Sequence, residues 1–553
     1  MKTNILEKTG FKIVVALVST VVLLPALGMI LMSFKVFSDF SVLNSLRDSV
    51  LISYTINTFL LCLGTVMISL LVSVPSAWVL TFYIVPFKKF FDWLSILPMI
   101  MPAYVLAYAY TDALDYSGWL SIYIRDFFFK FGFIEDPLLN RTFWPEIRSL
   151  TGACFILGIA LSPYITLLAR TSFEMRQLNL IDAAKTMGIS GIRLFFSTTL
   201  PLARPAIVAG SSLVVMECLA DYGTVSFFSI QTLSSGLYKA WFGYGDLNTA
   251  SLIGLLMLFI AFFAISVEKF FRGSAKYGNF NHIEKKNKLP LNTKRKILAI
   301  SICSISGFFG FIIPVFLLLK SSFDEVNLGY FTIESFVSIS YSLLNSVFFG
   351  LVSVFIIISS SIIIAYAIRH EVSNKLKYLI ELLLSGYAVA GLVSALSLLS
   401  LSGLITIFLS SLFDISFSLS TTITLLLIAY VSRFFAVGFT PINIGLSGIK
   451  TSIDNSARTF GLSGLNIFFR LHLPLLKTSS ILASMLVFID VIKELPATLV
   501  LRPLSTETLA ITAYNLASDE RLGAAAVPCI LIAAVGVIPL IIIKIKWSET
   551  RKF

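Results

Sequence analysis

Apolar residues run along this chain in blocks of 20 or more, separated by short polar segments. At 1.5 Å of rise per residue such a block crosses a bilayer core of about 30 Å. Twelve blocks are expected as membrane helices, at approximately 13–34, 55–84, 91–111, 151–170, 203–230, 250–268, 297–320, 343–368, 378–410, 419–440, 478–500 and 523–545. The pattern predicts an all-α integral membrane protein. The first block follows Lys2, Lys8 and Lys12 as a secretion signal would, but it is too long for a signal core and lacks a small-x-small cleavage site, so it is taken as the first span.

The polar segments hold a repeat. Asp182-Ala183-Ala184-Lys185-Thr186-Met187-Gly188, with Pro201 beyond it, recurs 273 residues later as Asn455-Ser456-Ala457-Arg458-Thr459-Phe460-Gly461 with Pro474. Over residues 186–202 nine of seventeen positions are identical in the two copies. Pro25 with Ser33-Phe34 is echoed by Pro314 with Ser322-Phe323, and Asn57 with Ala77 by Asn345 with Ala365, so the repeat covers whole halves. The expected organisation is a six-span half at 1–268 with its loop motif at 179–201, a basic linker at 269–296, and a second six-span half at 297–553 with its motif at 451–474. An even number of spans per half makes the two six-helix repeats parallel.

Charge sets the expected orientation. With the amino terminus inside, cytoplasmic segments hold most of the 42 Lys and Arg, nine of them in the 269–296 linker. Both termini are then cytoplasmic, and the net charge of +12 is a topology signal. No compact basic domain points to nucleic acid. Cys62, Cys154, Cys218, Cys303 and Cys529 are odd in number and lie in apolar segments, which suits core thiols and neither a disulfide framework nor a metal site.

Each loop motif has the marks of a short helix outside the membrane. Asn179 precedes Asp182 by three residues and Thr451 precedes Asp454 by three, an acceptor followed by an acid of the first turn. Gly188 and Gly461 are expected to end these helices in the left-handed conformation, and Pro201 and Pro474 to open the next span. A helix resting on lipid headgroups is one reading; two matched copies, with small residues Ala183, Ala184, Ser456 and Ala457, favour docking into two equivalent partners. Acid-Ala-Ala-x-x-x-Gly followed by Pro resembles the signature loop of permease subunits of bacterial binding-protein-dependent ABC importers. The resemblance implies that each loop seats on a cytoplasmic ATPase, two copies in all; the second copy departs from it in Asn455-Ser456. Gly nowhere precedes Lys, so the phosphate-cradling loop Gly-x-x-x-x-Gly-Lys-Ser/Thr is absent. The chain is expected to be a permease without enzymatic activity or bound cofactor, its ATP used by a partner subunit.

Ionisable residues inside spans are functional candidates by default, because lipid makes them costly. Glu217 and Asp221 stand four apart in the fifth span, and Asp490 and Glu494 four apart at matching positions in the eleventh. Helix breakers Gly223 and Pro496 follow each pair, which places the acids near the negative ends of their helices. Lys493 offers Asp490 a structural partner instead. Tyr104, Tyr108, Thr111 and Asp115 share one face of the third span, as a path or as ordinary core. Arg433 has Ala160 at its first-half position and reads either as a pairing residue or as a path residue. Carboxylates and phenols suit hard cations, and His282, His370 and His472 fall in cytoplasmic segments away from any path, so no metal site is assigned.

Pro102-Ala103-Tyr104-Val105-Leu106-Ala107-Tyr108, Ala220-Asp221-Tyr222-Gly223-Thr224-Val225-Ser226, Lys493-Glu494-Leu495-Pro496-Ala497-Thr498, Arg502-Pro503 and Ser518-Asp519-Glu520-Arg521 resemble the fused permeases of ferric-iron importers over nearly the whole chain. That resemblance implies a bacterial inner-membrane permease, surrounded by lipid, that takes Fe(III) from a periplasmic iron-binding protein. Related permeases for thiamine, phosphonate or polyamines are alternatives. A carrier driven by an ion gradient would explain the acids but not the paired loops, and a scaffold without transport would explain neither.

Overall fold

The computed structural model describes residues 4–37, 50–132, 144–175, 184, 186–189, 191–272, 290–329, 332–370, 374–413, 422–462, 465–504 and 506–550. All elements among them are helical. Ten helices are long and apolar enough to cross a membrane, and two bent pairs bring the number to twelve. The twelve expected blocks fall on these helices one for one, and the differences lie at breaks.

The third span is two helices, Lys88–Ile100 and Ala103–Lys130, bent by 94° around Met101-Pro102. Proline lacks the N–H that would continue a ladder and pushes the residue before it into extended backbone. The ninth span is interrupted at the matching place: the tight helix Ser385–Ala388 ends before Gly391–Phe413 begins. The fifth span ends at Ala220, not near 230, and the eleventh at Ile492, not near 500. In each half the chain then folds back through short helices, Gly223–Phe227 and Leu233–Tyr238 in the first, Pro496–Leu501 and Leu509–Ser518 in the second. Matched bonds hold these returns. Asn57 Nδ2 donates to the Gln231 carbonyl at 2.9 Å and Asn345 Nδ2 to the Glu507 carbonyl at 3.0 Å. Leu233 N donates to Thr58 Oγ1 at 2.9 Å and Leu509 N to Ser346 Oγ at 2.8 Å. In an apolar surround each otherwise orphaned N–H at a helix start needs such a partner.

Pro201 and Pro474 do not open their spans, which corrects the sequence reading. Helix begins ahead of them, at Gly191–Leu194 and Leu465–Ile467, and runs through the wide turns Phe195–Thr199 and Phe468–His472. A proline ring collides with the carbonyl four residues before it, and a widened turn removes that collision; the first copy runs on as one helix, whereas the second bends by 59° between Phe468–Leu475 and Lys477–Ile492.

The halves interlock. The first span, Asn4–Phe37, packs on the ninth and tenth spans of the other half as well as on the sixth. The seventh, Thr293–Gly307 continuing through Phe308–Ile312 and Ile313–Asn327, packs on the second, third and twelfth. Hydrogen bonds follow the exchange: Ser432 Oγ to the Val22 carbonyl at 2.5 Å, Tyr110 Oη to the Phe309 carbonyl at 2.6 Å, and Ser162 with Ser306 at 2.7 Å. All five cysteines are free and buried.

Removing the Ser346 hydroxyl strands the Leu509 N–H in a buried site, a loss of about 1–3 kcal/mol. Ser346→Ala is expected to lower the thermal unfolding midpoint in detergent clearly. Ser340→Ala, which deletes only a bond to Phe336 O of its own helix, is the control and is expected to leave the midpoint near wild type.

Candidate functional site

The ends of the fifth and eleventh spans meet on the line between the halves, and a narrow cavity lies there. Glu217, Asp221, Asp490 and Glu494 all line it, together with Arg433, Lys493 and Tyr104. The four acids that the sequence paired by spacing are therefore brought to one place by the fold.

Each acid has partners. Glu494 Oε1 accepts from Arg433 Nη1 at 3.0 Å and from Ala497 N at 3.1 Å. Asp490 pairs with Lys493 at 2.7 Å. Glu217 reaches only across to the other half, accepting from the Tyr387 hydroxyl and lying 3.9 Å from Arg433 Nη2. Asp221 accepts from Thr224 N at 3.2 Å, Thr224 Oγ1 at 3.0 Å and Val225 N at 3.3 Å. Asp221 and Glu494 thus sit where one helix ends and the next begins, and they satisfy the first turns of Gly223–Phe227 and Pro496–Leu501. The sequence reading placed them only at the negative ends of their spans; the positive ends of the following helices face them as well. Four acids against two cations leave the cluster with a formal excess of two negative charges. Among the described residues no three Asp, Glu, His or Cys side chains converge tightly enough to hold a metal ion.

The tyrosine column of the third span divides. Tyr104 lines the central cavity and directs its hydroxyl at the Lys493 carbonyl, 3.4 Å away. Tyr108 is core, 2% exposed, with its ring edge-on to Phe227 at 4.7 Å. Thr111 and Asp115 line a second basin of about 1050 Å³ at the end of the molecule away from the loop motifs, with Asp112, Glu325, Glu520 and Arg148. There Arg148 joins the halves by donating to both oxygens of Glu520, at 2.7 and 2.8 Å. These bonds hold the Glu520 carboxyl below its ordinary range, outweighing its partial burial. A third space of about 2070 Å³, mostly apolar, shares Met99, Tyr164 and Asp490 with the central cavity. It reaches Lys269 and Glu381, which pair at 2.9 Å where the sixth span leads into the linker. The charged cavity and this apolar space thus adjoin.

The two loop motifs have one geometry where both are described; Asp182 and Ala183 lie outside the described residues. Gly188 and Gly461 both have φ of +80°, the left-handed conformation that glycine adopts freely. Ile189 N bonds the Ala184 carbonyl at 3.0 Å and Leu462 N the Ala457 carbonyl at 3.1 Å, closing both helices alike. Ala184 and Ala457 are buried, while Asn455 and Ser456 face outward. Met187 and Phe460, at matching positions, are 79% and 85% exposed. Sequence reasoning passed over this pair of protruding apolar side chains, although their place just before the helix-ending glycines was visible.

Thr451 does not cap the second loop helix, contrary to expectation: Thr451–Thr459 begins after Lys450 without a side-chain cap. Asp454 turns inward instead, accepting from Arg369 at 2.8 and 2.9 Å and contacting His472 Nε2 at 2.8 Å. His472 is fully buried in the wide turn of the eleventh span. Partial burial raises the Asp454 carboxyl, but the bonds from His472 and Arg369 outweigh it and hold the carboxyl below its usual 3.8.

No family model matches this chain. It is 25% identical over 471 residues to the Fe(3+)-transport system permease protein FbpB 2 of Haemophilus influenzae, covering 83% of this chain and 82% of that protein. It is 21% identical to the ferric transport system permease protein FbpB of Actinobacillus pleuropneumoniae, over 78% of this chain and 62% of that protein. The molybdenum transport system permease protein ModB of Haemophilus influenzae is 29% identical over 150 residues, 26% of this chain and 59% of its own. The chain is thus similar to permease subunits of ABC importers, the fused ferric-iron permeases among them.

A carboxyl whose value is depressed in the folded state stabilises above its unfolded value and loses that contribution as the pH falls through the folded one. The thermal advantage of wild type over Asp454→Asn is therefore expected to be full at about pH 5 and to shrink below the usual 3.8. Equal unfolding midpoints for the two proteins at about pH 5 would show that Asp454 does not anchor the loop helix.

Proposed function

We propose that this chain is the membrane permease of an ATP-driven importer that passes Fe(III), delivered by a periplasmic iron-binding protein, into the cytoplasm. The cavity between the halves carries the proposal: four carboxylates against two cations, at the meeting point of symmetry-related spans, favour a hard, highly charged cation over an anion. The names of the two iron relatives agree with that chemistry. With the amino terminus inside, the loop motifs, the linker and both termini lie on the cytoplasmic side of an inner membrane. Met187 and Phe460 then present two matched apolar contacts to two copies of a separate ATPase subunit, which uses the ATP. The basin at Asp115 and Glu520 faces the delivery protein, and the apolar vestibule opens toward the cytoplasm.

An oxyanion permease is the second reading, favoured by the molybdenum relative. Against it, both cations of the cavity already have carboxylate partners, at 3.0 Å for Arg433 and 2.7 Å for Lys493. An arriving oxyanion would meet the excess negative charge.

Glu217→Gln with Asp221→Asn keeps acceptor oxygens for Tyr387 and Thr224 while removing the charges. In vesicles carrying the whole complex, this variant is expected to lower ATP-dependent uptake of radioactive iron at least tenfold, with insertion and ATPase binding intact. Uptake near wild type would reduce these acids to structural ties between the halves and end the cation-path reading.

Coupling has its own test. A side chain in the left-handed conformation costs about 1–2 kcal/mol, and nothing lies within 4 Å of a Cβ at either glycine, so Gly188→Val and Gly461→Val misdirect the loop ends without crowding the spans. Both are expected to weaken the ATP hydrolysis stimulated by loaded binding protein, the Gly188 variant more, because its loop keeps the fuller motif. Unchanged stimulation in both would remove the coupling role.

A further inference from the structure

The acids of the central cavity obey the symmetry of the halves and the cations do not. Glu217 corresponds to Asp490 and Asp221 to Glu494. Arg433 corresponds to Ala160 and Lys493 to Ala220, and both alanines line the same cavity. A third exchange accompanies these two. Ala103, which starts the second helix of the third span, corresponds to Gly391 in the ninth. A Cβ at 391 would lie 2.5 Å from Arg433 Nη1 and 2.5 Å from Glu494 Oε1. The second half has given up a methyl group where the guanidinium and its carboxylate need the space.

Arg433 is held unevenly. It lies 3.0 Å from Glu494 of its own half and 3.9 Å from Glu217 of the other. Its Nε has no hydrogen-bond partner although the residue is only 6% exposed. A guanidinium stays charged at any relevant pH and offers five N–H donors. The buried Nε is idle here, in a cavity where a purely structural bridge would be satisfied throughout. Lys493 pairs with Asp490 on its own helix end, whereas the ion contact of Arg433 crosses to Glu217 of the first half.

We infer that Arg433 is a tethered counter-cation that makes the cavity selective for multivalent cations: anchored on Glu494, it occupies the field of Glu217 until a more highly charged ion takes its place. The inference rests on the reading of the cavity as a cation path. Attraction to a carboxylate scales with the charge of the ion. A monovalent cation meets a competitor of equal charge that cannot diffuse away, whereas a trivalent one outweighs it. In the empty protein the tether therefore keeps abundant monovalent ions from leaking through.

The test uses the whole complex in liposomes and reads ATP-independent efflux of trapped rubidium ions beside ATP-dependent uptake of radioactive iron. Arg433→Gln with Glu494→Gln removes the pair without leaving Glu494 charged and unpartnered, and keeps an acceptor for Ala497 N. This double variant is expected to raise rubidium efflux at least tenfold, and Arg433→Lys, which keeps the charge, to stay within about twofold of wild type. Gly391→Ala, which crowds the pair and changes no charge, is expected to raise efflux too, and it serves where the double variant does not insert. Efflux at the wild-type level in the inserted double variant, or in Gly391→Ala where that stands in for it, overturns the inference. So does an Arg433→Lys variant that leaks as much as the double one. Absence of iron uptake by the wild type would instead overturn the iron reading, and the rubidium comparison would still stand.

Discussion

Charge buried between two membrane-embedded halves governs this structure. Removing an ion from water costs several kcal/mol even after relaxation, and only close partners recover it. Every feature near the centre answers to that requirement. Asp221 and Glu494 take backbone N–H groups of the helices that follow them, Asp490 takes Lys493, and Glu217 takes partners only from the opposite half. Glu217 is consequently the acid whose surroundings change most if the halves move apart. The first and seventh spans, each packed on helices of the other half, tie the two halves together.

The same constraint explains why the spans break where they do. Lipid offers no partner to a free backbone group, so a chain that turns back inside the membrane must be covered by protein. The returns after the fifth and eleventh spans are closed by Asn57, Thr58, Asn345 and Ser346 of the long second and eighth spans. Their reward is position: helix starts and helix ends converge on the cavity, and the acids at those junctions serve both the fold and the electric field inside it.

Much of this was legible in the sequence, for identifiable reasons. Span number followed from length and hydropathy, the repeat from identities around Gly188 and Gly461, and the meeting of four acids from their equal spacing in the two halves. Breaks and partners were not legible. Met101-Pro102 gave a signal that hydropathy averaging erased, and the ninth span carries no proline at its break at all. Pro201 and Pro474 pointed to helix starts because the local rule for proline is strong, yet a wide turn met its demand. Thr451 had the capping pattern, but Arg369 and His472, 85 and 18 residues from Asp454, drew that acid inward. Tyr387 could not have been found at all, because its link to Glu217 depends on how the two halves face each other.

If the central cavity passes an ion, as proposed, it must also be a poor resting place. Binding strong enough to fill a site at low cargo concentration holds the ion there, whereas passage needs a site that can be emptied. The described acids do not close into a cage, and each already has a partner that can take its charge back when the ion leaves. On that reading, built-in partners would serve departure as much as stability. An arriving cation gains only the difference between its own attraction and that of the groups it displaces, which keeps the gain small for the many ions of low charge. For a trivalent ion the difference is larger. On the proposed reading, energy is then needed to move the halves, the step that an ATPase seated on the loop face would drive.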